Sequence, residues 1–302
     1  MKPHDIVLKT RGLVGEPYMV KALLYALFFI GALAVFAYAR FPSEVLAPLI
    51  ERHASTGPFR VSVSMAKLSF PPGVSLSGVT VTEKSPAGAS PLVTAESVTV
   101  RPSVIAALTG EEGGALEARL LGGELFVSGR TDGGADEKIN MEFELEDINP
   151  GLLAIWEQVP WGKFSGKLSG EGNLSIVNQN IYKGAGELKA SLSEGLFTLG
   201  KILSSDGKAV RLGAGQFELK YKSGKMTIDR AEINGDDVAI SVSGDILLVK
   251  RLEFSRLNLK ISIKLSGELK QKFDPLLAFF KKDNTGRTII HISGVARAPS
   301  VR

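Results

Sequence analysis

The sequence predicts a mainly β protein: an N-terminal transmembrane helix, then a long, curved, groove- or taco-like antiparallel sheet with a few short helices. Three observations predict it. One apolar stretch near the N-terminus carries no charge, period-two alternation recurs from residue 59 onward, and turn residues separate neighbouring runs.

The apolar stretch runs from Ala22 to Ala39, ALLYALFFIGALAVFAYA, between Lys21 and Arg40. As a helix these residues measure about 27 Å, close to the ~30 Å hydrocarbon core of a bilayer. Leu23, Leu24, Leu27, Phe28, Phe29, Ile30, Leu33, Val35 and Phe36 supply the apolar surface of this anchor. A buried core helix is the first alternative, but such a helix normally shows a polar stripe and this one has none. A cleaved signal peptide is the second, suggested by Ala37-Tyr38-Ala39. The run exceeds the usual ~7–15 apolar residues of a signal, and a 21-residue tail precedes it, so it reads as a retained anchor.

Orientation follows from the basic residues. Lys2, Lys9, Arg11 and Lys21 precede the anchor, whereas only Arg40 and Arg52 follow it as far as Pro58. Basic residues stay on the cytoplasmic side. The expected organisation is a cytoplasmic tail (1–21), one membrane span (22–39), a juxtamembrane segment (40–58) and an external β-rich domain (59–302), with possible halves 59–160 and 161–302.

The net charge is +4, of which the first 21 residues supply +2 (four basic minus two acidic). The lysines are spread singly along strands without interleaved aromatics, which argues against nucleic acid as a partner. There is no cysteine, hence no disulfide framework and no thiol chemistry, a composition that suits a periplasmic domain.

Phe41-Pro42-Ser43 breaks the anchor helix, and Ser43 is placed to cap a new one. SEVLAPLIERHAS puts Leu46, Leu49, Ile50 and His53 on one helical face, and Gly57-Pro58 stops it. This short amphipathic helix either leans on the membrane or the mouth of the next domain, or packs on the first strands.

The period then changes to that of strands. Val61, Val63 and Met65 alternate with Ser62, Ser64 and Ala66; Met141, Phe143 and Leu145 alternate with three glutamates. Between Gly162 and Val177 one parity is apolar or glycine and the other polar. The cleanest case is Leu257 to Ser266, where Leu257, Leu259, Ile261, Ile263 and Leu265 oppose Asn258, Lys260, Ser262, Lys264 and Ser266. Such a sheet is wet on one face and dry on the other. The pattern implies on the order of a dozen strands.

Short helices are expected at 103–109, at 150–159, and from Asp274 (an N-cap) through Pro275 to Lys282. They are too few and too short to cover a dozen strands. The dry face must therefore be buried by the curvature of the sheet, by a second sheet, or by something that is not protein. Glycines 166, 170 and 172 suit sharp curvature. Periodicity alone leaves open an apolar trough or a filled sandwich.

Chemistry is hard to find. Neither His53 nor His291 has a paired ligand at metal spacing, so no metal and no cofactor is expected. The serines sit at water-facing strand positions, and no nucleophile elbow occurs. Asp229, Glu232, Asp236 and Asp237 around Asn234-Gly235 read as a solvated hairpin tip. GEEGG, LLGGE and DGG lack the residues of a phosphate loop. The protein is not expected to be an enzyme. Trp156 and Trp161, flanking Pro160, are candidates for an interface or for sealing a sheet edge. Leu276, Phe279 and Phe280, followed by Lys281 and Lys282, either cap the trough or dip into a membrane surface.

The order of these features resembles a known family. FPSEVLAPLIERHAS follows the anchor; then come VSMAKLSFPPGVSLSGVTV, LEARLLGGELFVSG and LEDINPGLLAIW…GKFSGKLSGEGNLSI. AEINGDDVAISVSGDILLVKRLEFSRLNLKISIKLS…GRTIIHISGVARAPSVR closes the chain. Together they resemble the type II secretion system protein N family of Gram-negative bacteria over almost the whole chain. More distantly they are similar to AsmA-like periplasmic proteins, whose β-grooves are linked to lipid movement and outer-membrane assembly.

The resemblance implies a single-pass inner-membrane protein with a periplasmic domain, acting without catalysis beside other inner-membrane secretion components. It supplies no catalytic residues. The alternative is a carrier that shelters phospholipid acyl chains along Phe164, Leu168, Leu174, Ile176, Leu257, Leu259, Ile261, Ile263 and Leu265. A hydrolase is a distant third. A machine part should have a protein-filled interior; a carrier should not.

Overall fold

The computed structural model describes residues 28–29, 43–55, 59–69, 73–85, 88–103, 112–132, 137–154, 156, 162–178, 180–200, 209–249 and 254–302. Of the expected anchor only Phe28 and Phe29 fall within them; both are helical and exposed. The rest of the anchor, all but Ser103 of the helix expected at 103–109, and Trp161 lie outside the described residues. Among the described residues no helix is long and apolar enough to cross a membrane.

Residues 43–302 form one compact unit. Its strands are β1 (Phe59–Ser69), β2 (Gly73–Ser85), β3 (Gly88–Pro102), β4 (Glu112–Leu120), β5 (Gly123–Asp132), β6 (Lys138–Ile148) and β7 (Gly162–Val177). They continue as β8 (Asn180–Leu199), β9 (Ala209–Lys222), β10 (Lys225–Asn234), β11 (Val238–Leu247), β12 (Arg256–Leu265), β13 (Lys281–Lys282), β14 (Thr288–Val295) and β15 (Ala298–Val301). Among the described residues two α-helices accompany them, α1 (Ser43–Ala54) and α2 (Gly267–Leu277).

All fifteen strands belong to one open, curved antiparallel sheet. From β1 to β12 each strand pairs with the next in sequence, so the chain simply meanders. β14 follows β12, and its outer edge is shared by two short strands: β13 pairs with Thr288 and Ile289, and β15 with residues 292–295. Arg302 and His291 exchange both backbone hydrogen bonds to complete that edge. The β1 edge is guarded differently. The backbone N–H of Val61 donates to Ser55 Oγ (3.0 Å), and that of Val63 donates to Glu51 Oε1 (2.6 Å) at the α1 end of the chain.

Parity along β1 departs from strict alternation. Met65 is 48% exposed and Ala66 only 2%, so the inward series is Val63 and Ala66, buried, with Val61 and Leu68 half-buried on either side. The partner strand steps identically, from Val79 to Leu76, past Gly78 at φ 61°. An L side chain resists that backbone, and glycine admits it. Extra residues enter β6 between Leu145 and Ile148 and β8 between Leu192 and Gly195. In each, one residue takes left-handed φ: Asp147 (52°) and Glu194 (53°). Bulges of this kind bend a strand and increase its twist.

Gly166 lies opposite the β8 bulge, as curvature requires. Gly172 has a different reason to be glycine: a Cβ there would fall within the Phe143 ring of β6 and against the Glu187 carbonyl.

The helices correct three expectations. α1 does pack on the first strands, but its inward residues are Leu46, Ala47 and Ile50, while Leu49 and His53 are exposed. The third helix begins at Gly267, seven residues before Asp274, and Pro275 sits in its last turn rather than its first. It forms there because Leu269, Phe273 and Leu277, four residues apart, make one apolar stripe that the sheet can bury. Lys281 and Lys282, expected in that helix, are strand β13 instead. Of the helix expected at 150–159, residues 155 and 157–159 lie outside the described residues, and Pro150–Leu152 is a 3₁₀ turn capped by Asn149 Oδ1 accepting from Gly151 N–H.

Candidate apolar trough

Register turns the alternating strands into rows. One row crosses thirteen strands: Ala66, Leu76, Val98, Ala118, Leu125, Leu145 and Gly170, then Ala190, Phe217, Ala231, Val242, Ile261 and Ile290. The neighbouring row is Leu68, Val74, Val100, Leu116, Val127, Phe143 and Gly172, then Leu188, Leu219, Ile228, Gly244, Leu259 and Ile292. Neither row contains a polar residue. At about 4.8 Å per strand, each extends for roughly 60 Å along the sheet.

Among the described residues, protein covers this face at two places. α1 covers β1–β3, where Val63, Ala66, Leu76 and Val79 are buried. α2 covers the ends of β8–β12, where Leu199, Val210, Leu212, Val238 and Leu269 are buried. Between these clusters the rows are mostly half-buried, and Val100 is 41% exposed.

The covering by α2 is incomplete. A cavity of about 540 Å³ lies beneath it, lined by Phe164, Phe197, Leu199, Val210, Leu212, Ile233, Val238, Ile240, Ile263, Leu265, Leu269, Phe273 and Leu277. Every lining residue is apolar. Phe164 is backed by Trp156, whose ring lies 6.5 Å away at 51° and whose Nε1–H donates to the Pro150 carbonyl (2.7 Å).

Of the nine trough candidates, Phe164, Ile263 and Leu265 line this cavity. Leu259 and Ile261 stand in the two long rows, while Leu168, Leu174, Ile176 and Leu257 flank them on the same face. Phe279 is 88% exposed and Phe280 half-buried; the Leu276 side chain lies outside the described residues. Sequence reasoning missed Phe197, Leu212, Leu269 and Phe273. The four-residue spacing of Leu269, Phe273 and Leu277 was the available signal.

The opposite face is wet and carries cross-strand ion pairs, among them Arg101–Glu117 (3.1 Å), Lys220–Asp229 (2.7 Å) and Lys225–Asp245 (3.1 Å). Asp229 raises the pKa of Lys220, first by its hydrogen bond and then by its charge. The Lys225 ammonium, followed by the Thr227 hydroxyl, holds the Asp245 carboxyl below its ordinary value. A shallow hollow of about 520 Å³ on this side is bordered by Glu142, Glu144, Glu171, Glu187, Lys189 and Arg101, all exposed. Among the described residues no three His, Cys, Asp or Glu side chains gather as a metal site.

No protein-family model, curated protein or solved structure matches the chain. The resemblance to the type II secretion system protein N family rests on sequence motifs alone.

Proposed function

We propose that the chain is a carrier whose curved sheet shelters the acyl chains of phospholipid. The observation that carries this reading is the pair of uninterrupted apolar rows crossing thirteen strands, half-buried over most of their length. Apolar surface left in water is unfavourable by about 25 cal/mol per Å², and a hydrocarbon chain laid along the rows removes that cost on both sides. The wet face, with its ion pairs, keeps the sheet soluble from behind. In this reading residues 22–39 anchor the carrier in the inner membrane of a Gram-negative cell, with the β domain in the periplasm.

The test uses the full chain in cells. Leu259 and Ile261, one at a time, are replaced by the photoreactive residue p-benzoylphenylalanine, and Asn258 and Lys260 serve as wet-face controls. Ultraviolet capture of phospholipid at 259 and 261, with none at 258 and 260, is expected. Equal capture, or none, sinks the carrier.

A scaffold part of the type II secretion machinery is the second reading. It is favoured by the β1–β3 end, where α1 fills the dry face with protein. Deletion of the gene would then abolish secretion of folded exoproteins, while the photoreactive variants captured protein rather than lipid.

A further inference from the structure

We propose that the cavity under α2 binds the methyl end of one long alkyl chain, with the anionic head of that molecule held outside at the exposed face of α2. The inference rests on the carrier reading and names the place where a chain terminates. Apolar cavities of only about 150 Å³ stay dry and take up small hydrocarbons. This one is about 540 Å³ and is lined by apolar residues throughout. It has room for a stretch of a single alkyl chain.

The direction of entry follows from the lining. A carboxylate or phosphate inside would have no donor to pair with, and a buried unpaired charge is prohibitively unfavourable. The head therefore stays out. Lys270 and Lys272 are exposed and flank the inward stripe of α2 on either side, with Glu268 on the first turn. The Lys272 ammonium lies 5.9 Å from the centre of the Phe273 ring, itself a wall of the cavity. A cation beside the wall suits an anionic head attached to a chain on the other side. The cavity is also continuous in register with the long rows: Ile263 and Ile240 pair with each other two residues along their strands from Ile261 and Val242.

The free fatty acid and the phospholipid share this chemistry, and the experiment separates them. The full chain is reconstituted into phosphatidylcholine vesicles and given stearic acid carrying a diazirine either at the terminal carbon or beside the carboxylate. A parallel arm uses phosphatidylglycerol bearing the same terminal diazirine. After irradiation, adducts are mapped by peptide mass spectrometry. Terminal-carbon adducts are expected on the peptides holding Leu212 and Leu269–Leu277, and carboxylate-end adducts on Lys270 or Lys272 but not on Leu212.

Competition by unlabelled acids should strengthen with chain length and level off once the chain fills the cavity. Val210→Phe, which fills the space, should lower the terminal adducts about tenfold; the length series needs no variant and stands if Val210→Phe fails to fold. Labelling by the acid alone, or by both lipids, identifies the source of the chain. Terminal-carbon adducts confined to the peptides of Leu259 and Ile261 would overturn this inference and leave the carrier intact. No adduct on any apolar position would overturn both.

Discussion

The two helices cover the same kind of surface with opposite results. α1 packs on β1–β3 through aliphatic residues alone: Leu46, Ala47 and Ile50 on the helix, and Val63, Ala66, Leu76 and Val79 on the strands. α2 brings Leu269, Phe273 and Leu277 to a patch of sheet that holds Phe164 and Phe197, and a cavity of about 540 Å³ remains. Side-chain size at the contact sets how closely a helix approaches a sheet. One patch is a finished core. The other is a wall with space behind it.

The sharpest way to break the comparison is to enlarge a residue in each patch. Ala66→Leu has nowhere to go and should destabilise the protein by about 1–3 kcal/mol in urea unfolding. Leu269→Phe adds volume beside open space and should change stability by less than about 1 kcal/mol. Similar losses for both would mean that the α2 cavity closes in solution.

The helices also differ in how they are tied. Glu51 accepts from the Val63 N–H, so Glu51→Ala leaves a partly buried donor unpaired and should cost about 1–2 kcal/mol, with Glu51→Gln recovering most of it. Ser266, at the head of α2, makes no side-chain capping bond. Ser266→Ala should therefore cost less than the ~1 kcal/mol typical of a lost N-cap. Thermal midpoints of the three variants decide the matter.

The smallest effect is one of pH. In the turn after α2, Asp283 accepts from the Thr285 hydroxyl (2.7 Å), then from the Arg287 and Thr285 N–H groups, and these bonds hold its carboxyl below the usual 3.8. A depressed value stabilises the fold above the unfolded value and is lost as pH falls through the folded one. Below pH 3.8, amides of the β13–β14 turn should exchange faster while those of α1 lag, and Asp283→Asn should remove the difference.

Much of the sheet was legible because each strand advertises its own parity. The expected run from Gly162 to Val177 coincides with β7, and Leu257–Ser266 differs from β12 by one residue at each end. What parity cannot supply is register, and the rows exist only through register. The step at Ala66 was misread because it depends on Gly78 in the partner strand. α2 was misplaced because GELKQKF reads as polar, with one apolar residue per turn, and because Asp274-Pro275 imitates a helix start. β13 has two residues, too few for any period to appear. The cavity was illegible because it is an absence, the space left between α2 and the sheet.

The edges have a consequence of another kind. A long open sheet invites a second molecule to add its own strands at either margin, and repeated addition makes fibrils. Here β13 and β15 occupy one margin, and Ser55 and Glu51 take the outward N–H groups of Val61 and Val63 at the other. Both margins are thus partly occupied by segments of the same chain, which leaves a second molecule less free backbone to pair with.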